Sequence, residues 1–129
     1  MEDQTGYRWN KKQILVVEDD ESSAFLLGEI LRGTGAMVNY TSDGEEAIAY
    51  MKEHPETDLI LMDIHLPEMD GFTATREIKA FADQVIVIAQ TAYAFSADHR
   101  QAEMAGCDAF LTKPLNTTVL LDKMDRYLS

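Results

Sequence analysis

LILMDIHLPEMDG, residues 59–71, is an apolar run that ends on a single aspartate, Asp63, with a turn directly behind it. Unbroken apolar residues suit a strand covered on both faces, and such strands belong to parallel sheets held between two helix layers. A carboxylate closing a strand of this kind must be hydrated, paired, metal-bound or reactive. The flanking segments settle the fold first and the carboxylate afterwards.

QILVV (13–17), DLILM (58–62) and QVIVIAQ (84–90) share the wholly apolar pattern; AMVNYTS (36–42) alternates like a strand nearer the sheet edge, and DAFLT (108–112) supplies a fifth. Helical patterns fill the intervals. Ser22 and Ser23 can cap a helix carrying Phe25, Leu26, Ile30 and Leu31, closing near Gly33 and Gly35. Asp43-Gly44 opens a second, with Ala47, Ile48 and Met51, which stops before Pro55. The third runs from Asp70 to Phe81 through Phe72 and Ile78, and the fourth from Ser96 to Ala105, ended by Gly106. Asn116 caps the last, through Val119, Leu120, Met124 and Tyr127. Strand and helix alternate five times, the pattern of an α/β domain.

The 129 residues, 46% hydrophobic and 26% charged, match one globular domain with a core of its own. Residues 1–12 show no hydrophobic period and read as a tail or linker, so Trp9 is expected in a disordered segment unless it docks on the domain. Nothing near the start has the apolar core of a signal peptide, and no run approaches a membrane span. A net charge of −12 argues against contact with nucleic acid or anionic lipid and suits a basic partner or a bound cation. The single cysteine, Cys107, forms no internal disulfide and reads as a small buried hydrophobe. His54 and His99 read as solvated, and the seven methionines mostly as core filler.

Ligand sites in open parallel sheets lie beyond the carboxyl ends of the strands. There the chain places Glu18, Asp19 and Asp20 after strand one, Asp63 after strand three, Thr91 and Ala92 after strand four, and Lys113-Pro114 after strand five. Singly, each has an ordinary reading: acids favoured at a helix entry, a turn former, a strand-end cap, a solvated lysine. Together they do not, because like carboxylates about 4 Å apart repel by about 4 kcal/mol at an effective dielectric of about 20. Such a cluster needs a cation, and oxygen-only ligands suit Mg²⁺ or Mn²⁺. A divalent ion, an ammonium and a hydroxyl around one carboxylate are also what phosphoryl transfer requires, namely positioning and charge cancellation. Asp63 is thus a candidate nucleophile toward phosphorus, becoming an acyl phosphate.

The segments LVVEDD, LMDIHLPEMDG, QTAYA and FLTKP, in that order, resemble the receiver domain of two-component response regulators over about residues 13–128. The resemblance implies a flavodoxin-like (βα)5 fold, a doubly wound five-stranded parallel sheet of order 2-1-3-4-5, with residues 13–129 as the receiver domain. It implies Asp63 as phosphoacceptor and Asp19 as direct metal ligand. Glu18 completes the metal pocket together with the backbone carbonyl of His65. Thr91 and Lys113 match the positions that contact phosphoryl oxygens, Phe110 the aromatic switch that turns inward with Thr91, and Lys113-Pro114 a peptide that is usually cis. Two positions depart from the common pattern: Glu18 stands for the more frequent Asp, and His65 for a small or apolar residue. With Tyr93, His65 is expected to flank the mouth of the site and tune the survival of the phosphoryl group.

The stretch IAQTAYAFSADHRQAEMAGCDAFLTKPL is most similar to receivers at the ends of hybrid sensor histidine kinases. In that context the partner is a histidine on a kinase dimerisation domain or on a histidine phosphotransfer protein, with no nucleic acid or membrane contact by this domain. Ala24, Leu27 and Gly28 on the first helix are expected to form the docking face. The domain is then a cytoplasmic phosphoacceptor that assists its own phosphorylation and dephosphorylation, and a parent chain would carry the kinase activity and any membrane anchor. No DNA-binding segment follows the last helix; a stand-alone receiver and a truncated response regulator are the alternatives. A metal-dependent aspartyl-phosphate phosphohydrolase belongs to another class and would place Asp-x-Asp-x-Thr after strand one, where Glu18-Asp19-Asp20-Glu21-Ser22 stands. A degenerate receiver serving only for binding fits poorly with Asp19, Asp63, Thr91 and Lys113 occurring together.

Overall fold

The computed structural model describes residues 6–92 and 96–129. Five strands, β1 (Gln13–Val17), β2 (Met37–Thr41), β3 (Leu59–Asp63), β4 (Ile86–Thr91) and β5 (Ala109–Thr112), form one parallel sheet of order β2-β1-β3-β4-β5. The helices α1 (Glu21–Arg32), α2 (Gly44–Glu53), α3 (Gly71–Phe81), α4 (Ser96–Ala105) and α5 (Thr117–Leu128) connect or follow them. This is the flavodoxin-like doubly wound order. Among the described residues, no helix is long and apolar enough to cross a membrane.

Alternate residues of the apolar strands serve opposite layers, as the period of two requires. Val16, Leu61 and Ile88 pack under α1 and α5 with Leu27, Leu31, Leu120 and Met124. Leu15, Val17, Ile60 and Met62 pack under α2 and α3 with Ala47, Met51 and Ile78. Strand β2 is half-exposed, as its alternating sequence predicts for an edge. Met51, Met62 and Met124 fill the core, whereas Met37 and Met104 face outward.

Four helices start on a side chain that accepts the N–H three residues on: Asp20 from Ser23, Asp43 from Glu46, Asp70 from Thr73 and Asn116 from Val119. For α1 this corrects the expected cap at Ser22 or Ser23: Asp20 caps, and Ser23 donates to it through both N–H and Oγ–H. Gly106, at φ +97, ends α4 in the left-handed region, where glycine alone carries no Cβ penalty.

Trp9 also departs from expectation. It is 1% exposed, packed with Leu31, Leu120 and Met124, and its indole N–H donates to Asp125 Oδ1 of α5 at 2.8 Å. Its backbone N–H meets Thr34 O at 2.9 Å; beside it Tyr7 packs on the indole ring and donates to Asp122. An isolated aromatic anchor has no period to read, which is why this segment resembles a tail in sequence. Trp9→Ala is expected to cost about 3 kcal/mol, the lower end for emptying a buried indole site, because the preceding chain can partly collapse. The denaturant midpoint at unchanged m-value measures it.

Candidate functional site

The carboxyl ends of β1, β3, β4 and β5 converge on one rim. Glu18 continues the sheet ladder through its N–H to Thr41 O and is buried, whereas Asp19 is exposed and Asp20 is turned away to cap α1. Asp63 is the last residue of β3, 3% exposed, and its Oδ1 accepts the His65 N–H at 2.9 Å. The turn behind it folds back tightly: Gly71 N–H donates to Ile64 O at 3.0 Å. A Cβ at Gly71 would collide with Asp63 O and stand 2.9 Å from Ile64 Cα, so the first residue of α3 has to be glycine for the helix to come this close.

Lys113 is placed by its own N–H, which donates to Thr91 O at 2.7 Å. Its ammonium lies 3.2 Å from Glu18 Oε1 and 3.3 Å from Asp63 Oδ2. The Lys113-Pro114 peptide is cis. Thr91 is fully buried, with Oγ1 3.3 Å from His65 Nε2. The His65 side chain is thus exposed yet turned toward the hydroxyl, not only toward solvent.

Burial raises the Glu18 pKa to about 7, helped by the hydrogen bond and charge of Asp63 and opposed by the Asp20 N–H and the Lys113 ammonium. Burial alone would lower the Lys113 pKa, but the Asp63 and Glu18 carboxylates outweigh it and hold the ammonium above its ordinary value. Oxygens of Glu18, Asp19 and Asp63 lie within 4.8 Å of one another. Three carboxylates facing one ammonium leave negative charge in surplus, and an all-oxygen donor set fits a hard divalent cation.

Glu18, Asp19, Asp63, Thr91 and Lys113 are therefore brought together as their places after the strands predict. Phe110 lies on β5, half-buried, with its ring 3.9 Å from that of His99 and tilted 58° against it; His99 is itself exposed, as its solvated reading implies. Tyr93, the second residue expected at the site mouth, lies outside the described residues. Cys107 is half-buried beside Thr75, and burial pushes its thiol up to about 11. The expected docking face on α1 needs correction: Leu27 is buried in the core, and the outward apolar residues are Phe25, 70% exposed, and Leu26, 60% exposed.

Gln90, read from sequence only as a strand residue, borders the site. It pairs with Asp63 across the sheet and accepts the Ile64 N–H, yet its side-chain Oε1 and Nε2 are buried without a partner among the described residues. Each such group costs about 1–3 kcal/mol if water does not reach it.

A model of the response regulator receiver domain family matches residues 14–125. The chain belongs to this family. Among curated relatives of the receiver, the polar-differentiation response regulator DivK of Brucella ovis is 34% identical over 119 residues, 91% of this chain and 96% of that protein. The receiver domain of the sensor histidine kinase PA1611 from Pseudomonas aeruginosa is 34% identical with a TM-score of 0.84, covering 92% of this chain and 98% of that one; its structure holds a magnesium ion coordinated in the active-site cleft. The receiver domain of the response regulator Ssk1 of Saccharomyces cerevisiae, solved with the histidine phosphotransfer protein Ypd1, is similar too: 31% identity, TM-score 0.87, 93% and 90% coverage. The acidic rim of this receiver offers the oxygen donors that could hold a divalent cation.

Proposed function

We propose that the receiver takes a phosphoryl group from a phosphohistidine onto Asp63 in a two-component phosphorelay. The observation that carries this is the Lys113 ammonium at 3.3 Å from a buried Asp63 carboxylate that also shares a three-carboxylate cluster. Asp63 Oδ attacks phosphorus, the P–N bond to the donor imidazole breaks, and the imidazole leaves with the bond's electron pair and takes a proton from water. Lys113 and the Thr91 hydroxyl meet the equatorial oxygens, where charge must be cancelled. Glu18, Asp19 and Asp63, with the His65 backbone carbonyl, would hold Mg²⁺, which supplies further charge neutralisation. Thr91 and Phe110 are the residues through which the site would change the outer surface, and His65 and Tyr93 those that would limit water at its mouth.

The donor is a histidine on a phosphotransfer protein or kinase dimerisation helix. Leu26, which lines a pocket with Glu18 and Lys113, and Phe25 next to it on α1 are exposed and offer the apolar ground for its docking, and the likeness to the PA1611 receiver supports an origin in a hybrid histidine kinase. Phosphoramidate, whose P–N bond stands in for that of phosphohistidine, tests the reading. One phosphoryl group gained with Mg²⁺ and none in EDTA is expected; no gain in either removes it.

Metal binding is expected to be linked to pH through Glu18. Its folded pKa, about 7, lies above the ordinary value of 4.5, so its contribution to stability is present below about 4.5 and lost as pH rises through about 7. Mg²⁺ binds the charged form, so the rise in Tm on adding Mg²⁺ should grow from pH 5.5 to 8 and level off above it. In Glu18→Gln that pH dependence should largely vanish.

A further inference from the structure

Gln90 is 0% exposed, and both ends of its carboxamide lack a partner among the described residues. It is the register partner of Asp63, and in a parallel pair registered residues project from the same face of the sheet. With Glu18 and Lys113 it lines a pocket of about 210 Å³, whose apolar lining includes Leu26 and Leu27 of α1 and Pro114. A water molecule takes about 30 Å³ of liquid volume, so this space holds several, and it offers them the polar partners a buried water needs: an amide, a carboxylate and an ammonium. A leucine in that place would have met the apolar lining with no unmade hydrogen bonds. The amide therefore has an acceptor and a donor to spend on the groups across the pocket.

Among the described residues, Lys113 bonds to Glu18 and Asp63 and has one N–H left. Once Asp63 becomes an acyl phosphate, its charge moves outward onto the phosphoryl oxygens, and the ammonium loses one of the two carboxylates that hold it here, keeping Glu18. We propose that Gln90 is a positioning residue for Lys113: its carboxamide, through water in this pocket, steadies the ammonium from behind while the phosphoryl group arrives on Asp63. The inference rests on Asp63 as phosphoacceptor and adds a residue that touches neither phosphorus nor metal.

Gln90→Met keeps length and volume while removing the amide. Its expected signature is a split: the rate constant for phosphorylation at saturating acetyl phosphate and Mg²⁺ falls about tenfold, the worth of one charge-assisted hydrogen bond, while Tm changes little. The half-saturating Mg²⁺ concentration should stay within about twofold, since the metal ligands are untouched. In the wild type, the Gln90 side-chain NH₂ resonances should shift on phosphorylation, and in Lys113→Met they should stay where they are when Mg²⁺ and the phosphoryl analogue beryllofluoride are added. A Gln90→Met protein phosphorylated at the wild-type rate overturns the assignment, as does a Gln90 NH₂ shift that survives in Lys113→Met. A wild type that gains no phosphoryl group overturns both the assignment and the function on which it rests.

Discussion

Asp63→Asn is expected to lower the rate of phosphoryl incorporation by at least about a thousandfold while making the metal-free domain more stable. The amide has no charged oxygen with which to attack phosphorus. The stability gain has a separate cause. Asp63 and Glu18 are both buried, and Asp63 raises the Glu18 pKa by hydrogen bond and by charge. Removing the Asp63 charge relieves that repulsion and leaves Glu18 paired with Lys113 at 3.2 Å, a gain on the order of 1 kcal/mol. Intact mass after phosphodonor treatment reads the first effect, and the denaturant midpoint in EDTA reads the second. Wild-type labelling of the variant would place the phosphoacceptor elsewhere, and a lower midpoint would mean that the cluster is not strained by its own charge.

Gly71→Ala should impair both folding and chemistry. The new Cβ would meet the Asp63 carbonyl oxygen and Ile64 Cα, and it would stand 3.0 Å from Met62 Cγ. Two of those three are backbone atoms of the segment that aims Asp63, so relief requires moving Asp63 itself. About 3 kcal/mol of destabilisation is expected, the upper part of the range for overpacking. In the fraction that folds, an Asp63 displaced by about 1 Å should react about a hundredfold more slowly. Gly44→Ala is the comparison: the atoms nearest its Cβ would be side-chain atoms of Met69 and Ala74, of which the methionine can yield, so a smaller loss and a normal rate are expected. Equal effects at the two positions would contradict this account of Gly71.

Most of the architecture can be read directly from the chain, because apolar runs and helical spacings alternate and every helix but α4 starts beside an Asp or Asn that turns out to cap it. What sequence left open has local physical reasons. Glu18-Asp19-Asp20-Glu21-Ser22-Ser23 contains four or more residues able to cap α1, and only backbone geometry selects Asp20. Phe25-Leu26-Leu27 puts three apolar side chains in succession, so the phase of the buried stripe is ambiguous; the sheet takes Leu27 and leaves the other two outside. Trp9 anchors its segment by one side chain, which no periodicity reveals. Within the site, the residue types at the strand ends already implied the cluster, whereas the amide of Gln90, without a partner among the described residues, depends on what surrounds it and has no signature in sequence.

The central claim is that Asp63 carries the phosphoryl group. An acyl phosphate is reduced by borohydride to an alcohol, so peptide mapping after acetyl phosphate, Mg²⁺ and borohydride locates the modified carboxylate. Reduction is expected at position 63 alone, and none when EDTA replaces Mg²⁺. Reduction at position 19 or 20, or at position 63 regardless of metal, would contradict that claim.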